Sequence, residues 1–351
     1  MRSPSILAGL AIAYALTSVP SALDKGGIDL HGSYDVVANW LKPIAPDYLL
    51  SPVTVFAETP DRIFIGSLGL TPKATAPPTL TVFDPKVPGA RVDEPLFVVN
   101  RRGEVIERWT QWYDRFPSIH KVTIDPYDPE KHVWVVDRAA QQVMKFTHDG
   151  KTLVMAIGER GVAGQDDKHF GQPSDIAFLP DGTFFVSDGY RNRRVVKFDR
   201  NGRFLTAWGS EGSAPGQFRL VHSVAVDAAR RVYVVDRMNA RIQIFDEDGH
   251  FLDQWPGFVT PVHVVITQDQ FAWVSDMGAN RFAKYDLNGR LLETFGTAGK
   301  FPGGMNSPHD FSVDSEGNLY VSNAWNFTVD KYMPRKGADP NRLVGQRYTA
   351  R

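Results

Sequence analysis

Nine histidines are scattered along the 351 residues, and three of them, His120, His222 and His309, share one phase of an internal repeat. Each precedes a short strand-like run: Val135-Val136-Asp137, Val234-Val235-Asp236 and Val321-Ser322-Asn323, which end 17, 14 and 14 residues later. The copies between them carry Ser174 and Val262 at that phase. If six copies close into a ring, every second position lies a third of a turn from the next, and three imidazoles face one axis. Three histidines with an open fourth position are the ligand set of a catalytic zinc, which polarises a bound water or substrate oxygen. The other histidines lack this phase. His132, His148, His169 and His250 fall in turns or linkers, His263 is one residue out of step, and His31 lies outside the repeat.

The elements that must position this trio are short strands. Each copy holds three or four β-runs, separated by Asp149-Gly150, Asp181-Gly182, Asn201-Gly202, Asp248-Gly249, Asn288-Gly289 or Glu316-Gly317. Asn-Gly and Asp-Gly favour tight hairpins because both residues tolerate positive φ. The spacing of the histidine phase is 54, 48, 40 and 47 residues from His120 through Ser174, His222 and Val262 to His309. Such a period belongs to propeller blades. A degenerate first copy near Pro52 to Gly66 brings the number to six, so the sequence predicts an all-β, six-bladed propeller. It would span residues 51–335, with a Pro- and Thr-rich loop over 71–95 inserted in the first blade. Residues 23–50 lack clear strand patterning and read as an extension packed on the ring. Residues 336–351 read as a peripheral or ring-closing tail.

Composition narrows the function classes. The hydrophobic fraction is 42%, charged residues make up 23%, and the net charge is −1. With no basic run, nucleic-acid binding is not indicated. The start Met1-Arg2, the apolar run Ile6 to Leu16 and small residues up to Ala22 form a secretory signal over residues 1–22. That run is short for a membrane span. The expectation is an exported chain, periplasmic or secreted, with no stable membrane anchor after signal removal, acting as a monomer. The chain has no cysteine, which excludes a lipid attachment after the signal.

Three more residues suit chemistry beside the histidines. Tyr190 follows Ser187-Asp188-Gly189 at a strand exit between two His-bearing copies, where it either caps the blade or serves as a base. Arg237 follows Asp236 at the corresponding exit, suited to an ion pair with a loop or to a fork of donors for a substrate carboxylate. Arg102 lies in the turn Asn100-Arg101-Arg102-Gly103, and Arg101 is an equal choice from spacing alone.

The repeat resembles NHL repeats over roughly residues 105 to 335. Three stretches sharpen that resemblance: Ser187-Asp188-Gly189-Tyr190 through Val195-Val196-Lys197-Phe198, Gly216-Gln217-Phe218 through Asp236-Arg237 to Gln243, and Pro308-His309-Asp310. They resemble the peptidyl-α-hydroxyglycine α-amidating lyases. That resemblance implies zinc on His120, His222 and His309, with Tyr190 as base and Arg102 as the cation favouring its phenolate. It implies Arg237 at the substrate and a structural calcium held by Asp310 and the backbone of Val122. The implied substrate is a small molecule or short peptide that carries a carboxylate. Arg191 and Ile244 stand where the family motifs have cysteine. Ser307 stands where they have methionine, near the substrate. Two other readings compete. One is a non-catalytic NHL propeller that binds a peptide, glycan or protein. The other is a lactonase-like hydrolase, whose acidic and Asn calcium ligands the three-histidine phase disfavours.

Overall fold

A computed structural model describes residues 31–349. The signal segment 1–22 lies outside the described residues. Six four-stranded antiparallel sheets form the ring. Their innermost strands are Tyr48–Thr59 in blade 1, Ile119–Ile124 in blade 2, Asp175–Phe178 in blade 3, Val221–Val226 in blade 4, Pro261–Ile266 in blade 5 and Pro308–Val313 in blade 6. Among the described residues, helix is confined to short 3-10 turns. Residues 73–95 run between the second and third strands of blade 1. The glycines of the hairpin turns take positive φ as the dipeptides require, for example Gly182 at 85° and Gly249 at 89°.

The ring closes differently from the sequence expectation. Tyr34–Val37, inside the segment read as strandless, is the outermost strand of blade 6 and pairs with Thr328–Pro334. The inner strand of blade 1 then begins at Tyr48 rather than near Pro52. A four-residue strand is too short to show a period, and its pairing exists only once the two ends of the chain meet. The C-terminal tail, which was a candidate for that closure, instead lies against the inner end of blade 5. There Arg347 bridges Thr267, and the Tyr348 N–H donates to the Ile266 carbonyl at 2.7 Å.

Apolar residues fill the space between neighbouring blades. One cluster joins Tyr233, Val235 and Ile242 of blade 4 to Val264, Ala272 and Val274 of blade 5. Another joins Trp134, Val136 and Val143 of blade 2 to Ile176, Phe184 and Val196 of blade 3. Burying both faces of each sheet makes the ring rigid, so loops at the channel mouth are held by a packed scaffold.

The Val-Val-Asp signature has a definite positional role. Asp137 accepts from the Ser118 N–H at 2.9 Å, Asp188 from Gly171 at 2.6 Å and Asp236 from Arg219 at 3.0 Å. Asn323 plays the same part for the Asn306 N–H at 3.1 Å. Each bond pins the chain just before an inner strand. Arg194 and Arg241 in turn bind Asp188 and Asp236 at 2.8 and 2.9 Å. These aspartates are buried and satisfied, so the sequence signature is a clamp on the loop that delivers the axial residue.

Candidate metal centre on the propeller axis

The axial histidines owe their direction to a β-bulge. The register between first and second strands slips between Ile119 and Lys121, between Val221 and Ser223, and between Pro308 and Asp310. His120, His222 and His309 are the extra residues at those slips. A bulge leaves its residue unpaired and re-aims the side chain, here toward the channel axis. Ring centroids are 4.8, 5.0 and 5.1 Å apart, close to an equilateral triangle. One nitrogen of each ring lies within 4.8 Å of the other two.

The remaining three blades orient the trio. His120 Nδ1 bonds the Ser174 carbonyl at 2.7 Å, His222 Nδ1 the Val262 carbonyl at 2.7 Å, and His309 Nδ1 the Val53 carbonyl at 2.8 Å. Ser174 and Val262 are the residues that interrupt the histidine phase, and Val53 is their equivalent in blade 1. Since a carbonyl only accepts, each Nδ1 carries the proton and each Nε2 presents a lone pair. A carbonyl partner on the far nitrogen is the usual support of a metal-bound histidine.

Burial holds all three neutral. It lowers His120 well below the usual histidine value, helped by the nearby His309 and Arg138. It lowers His222 likewise, with His120, His309 and Arg237 adding to the effect. His309 is pushed down to about 4 by burial and Arg237.

Tyr190 completes the set. Its oxygen lies 3.1 Å from His120 Nε2 and 3.0 Å from His222 Nε2. A phenol has one proton, so it donates to only one of these acceptors, and the other pair is lone pair against lone pair. A cation at the centre removes that mismatch, so the donor set fits a zinc ion. Gly189 makes the approach possible: a Cβ there would sit 1.7 Å from the Val221 carbonyl oxygen. Arg138 lies over the Tyr190 ring at 5.0 Å.

A family model described as a 6-bladed beta-propeller matches residues 163–284. Peptidyl-glycine alpha-amidating monooxygenase A of Xenopus laevis is 35% identical over 239 residues, 62% of this chain and 24% of that protein. Peptidyl-alpha-hydroxyglycine alpha-amidating lyase 1 of Drosophila melanogaster is 29% identical over 270 residues, 69% of this chain and 49% of that protein. Human NHL repeat-containing protein 3 is 29% identical and covers 60% of this chain and 65% of its own. The chain is a six-bladed propeller homologous to amidating lyases and NHL-repeat proteins. It spans about a quarter of the length of the amidating monooxygenases it matches. Among solved structures, virginiamycin B lyase from Staphylococcus aureus shares the fold with a TM-score of 0.52 at 14% identity, covering 86% of this chain and 88% of that one.

The structure places two sets of residues differently from the expectation. Arg102 is exposed on an outer turn of blade 1 and pairs with Glu104 at 2.7 Å, while Arg101 pairs with Asp61. Neither reaches Tyr190. The cation at that ring is Arg138, which follows Asp137 as Arg237 follows Asp236. The repeat phase carried that signal, and the irregular length of the second copy obscured it. Arg102→Ala is therefore expected to leave turnover within about twofold of the parent, since an exposed pair contributes little. Steady-state kinetics check this, with Arg138→Ala beside it expected to lose activity.

The expected calcium does not fit either. The residue after each axial position forms a second, polar ring: Thr54, Lys121, Asp175, Ser223, His263 and Asp310, all buried. His263, out of step in the sequence, belongs here. Asp310 Oδ1 accepts from Lys121 Nζ at 2.9 Å, and Oδ2 from the Thr54 hydroxyl at 2.6 Å. His263 Nε2 lies 3.1 Å from the same carboxylate. The Val122 N–H donates to Thr54 Oγ1 at 3.2 Å. Calcium wants six to eight oxygen ligands, and an ammonium stands beside the carboxylate that would supply one. Burial raises the Asp310 carboxyl, but Lys121, His263 and Thr54 outweigh it and hold it below the usual carboxylate range. Asp175 is held at about 2, with Lys121, His263 and Ser223 outweighing its burial. Adding calcium to metal-free protein is thus expected to leave the melting temperature unchanged. Lys121→Met is expected to destabilise the fold, because the buried Asp310 carboxylate loses its ammonium and keeps only Thr54, Val55 and His263; the about 3–5 kcal/mol of a broken buried pair is the upper bound. Urea titration measures the second and a thermal melt the first.

Two expected substrate residues, Arg237 and Ser307, remain to be placed. Arg237 contributes positive charge at His222 and His309. Its Nη2 touches Met277 Sδ at 3.8 Å, and its buried Nε has no hydrogen-bond partner among the described residues. Ser307, two residues before His309, is buried with φ of 63°, and its hydroxyl also has no such partner.

Proposed function

We propose that the chain is an exported, zinc-dependent lyase that cleaves the C–N bond of a carbinolamide. The reaction converts an α-hydroxyglycine-extended peptide, or a related small carboxylate-bearing substrate, into an amide and glyoxylate. The observation that carries this reading is the axial set: three neutral imidazoles oriented by backbone carbonyls, with the Tyr190 oxygen against two of them. The names of the relatives agree with it.

Zinc bound to His120, His222 and His309 would acidify the substrate hydroxyl. As a phenolate, Tyr190 would take the hydroxyl proton, since its oxygen lies against two of the imidazoles that would hold the metal. Arg138 would offset the negative charge on the phenolate from above its ring. The guanidinium of Arg237, whose positive charge already acts on His222 and His309, suits the substrate carboxylate. Ser307 would line the same pocket. The C–N bond would break as the carbonyl formed, and the proton that Tyr190 took from the hydroxyl would pass to the departing amide nitrogen.

The test is direct. Zinc-loaded protein is incubated with α-hydroxyhippurate, and glyoxylate and benzamide are measured. Equal release of both supports the reading. Zinc-loaded, folded protein that releases neither removes the amidating reaction.

A further inference from the structure

Beneath the polar ring the channel opens into a cavity of about 540 Å³. Inner strands of all six blades wall it, with Ala177, Ala225, Val265, Phe311 and Val313 among the apolar residues. Residues 345–349 of the C-terminal tail lie at its far end. The tail is fastened on the blade 5 side, through the Thr267–Arg347 bridge and a Gln268 N–H to Gln346 carbonyl bond of 2.9 Å. From there Arg347 crosses the channel to blade 2, where it donates to Thr123 Oγ1 at 3.0 Å and to the Ile124 carbonyl at 3.3 Å.

Those two acceptors are neutral. A guanidinium has five N–H donors, and Arg347 forms no ion pair among the described residues. Burial lowers its pKa, while Asp125, Tyr127 and Asp175 act on it only at longer range. The charges at the upper end of the cavity are already matched within the ring, Lys121 with Asp310 and Asp175 with Ser223 and His263. Arg347 is therefore a cation of this space that no carboxylate among the described residues contacts, although Asp125, which lines the same cavity, acts on it through space. A volume of this size is that of a small-molecule pocket, and such pockets combine apolar walls with a few placed polar groups.

We propose that this cavity is a second ligand site, for a monocarboxylate with an apolar body whose carboxylate pairs with Arg347. The tail acts as the strap that brings the guanidinium over the channel. The site lies on the opposite side of the polar ring from the histidines and does not depend on zinc.

Decanoate is the probe, with decanol as its uncharged control, and isothermal calorimetry is the readout. Saturable one-site binding of decanoate, weakened on the order of ten- to a hundredfold in Arg347→Gln, supports the proposal, that being the range of a charge-assisted pair. Decanol is expected to bind Arg347→Gln as it binds the parent. Binding of decanoate must persist in His222→Ala; loss there assigns it to the histidine face and overturns the proposal. So does absence of binding to the parent, or binding indifferent to Arg347→Gln. If Arg347→Gln melts early because the tail detaches, Ala177→Leu decides. That variant keeps the charge and fills the cavity, so lost binding supports the site and unchanged binding overturns it.

Discussion

Replacing His222 with alanine is expected to strip zinc from the protein while leaving the propeller folded. The parent should carry about one zinc per chain and the variant close to none, measured by elemental analysis after dialysis. Activity should fall with the metal, by three orders of magnitude or more on the scale of rate enhancements assigned to a catalytic metal. The structural cost is small by comparison. The lost Nδ1–H leaves the Val262 carbonyl short of a donor, which costs roughly 1–3 kcal/mol. The Asp236 clamp on Arg219 and Leu220 still holds the loop. A folded parent that binds no zinc would sink the metal reading and leave a binding propeller.

The same trio sets a pH dependence for the metal-free protein. Its histidines are held below their unfolded value near 6.5, His309 at about 4. As pH falls through that window, the unfolded chain takes up protons that the folded chain refuses. Stability is therefore fully present above about 6.5 and declines toward pH 4. Zinc deepens this dependence, because a protonated imidazole cannot be a ligand. Chemical denaturation at pH 7.5 and pH 5, with and without zinc, reads the slope; a flat profile would contradict the burial of neutral histidines.

The sequence carried the axis of this molecule well and its edges poorly. The histidine phase was legible because a bulge falls at one fixed place in the repeat, and a repeat preserves phase. Asp137, Asp188 and Asp236 were legible for the same reason. What escaped was whatever depends on closure in space. Tyr34–Val37 becomes a strand only against Thr328–Pro334. Nothing local in the sequence pairs Lys121, beside His120, with Asp310 of blade 6. Arg102 illustrates the opposite error, since a turn position in a divergent first blade was given a role that Arg138 has the geometry to fill. The calcium carried over by resemblance fails on a single side chain, because the relation among Thr54, Lys121, His263 and Asp310 is not local in sequence.

Tyr190→Phe is the variant that separates chemistry from metal binding. The ring, its packing beside His120 and the Arg138 contact are all retained; only the oxygen between His120 and His222 is removed. Zinc content is expected to stay near one per chain, since the three imidazoles keep their carbonyl partners. KM should change little, because Arg237 is untouched. Loss of a positioned base lowers kcat by about 10²–10⁴-fold. Arg138→Ala gives a smaller drop through the same step, and Arg138→Lys recovers part of it, since a cation over the ring is restored without the planar fork. If Tyr190→Phe instead loses its zinc, the phenol oxygen acts as a ligand or a prop for the histidines rather than as the base. If it keeps both zinc and turnover, Tyr190 is not the base, and the proton acceptor has to be sought among other groups that reach the metal position.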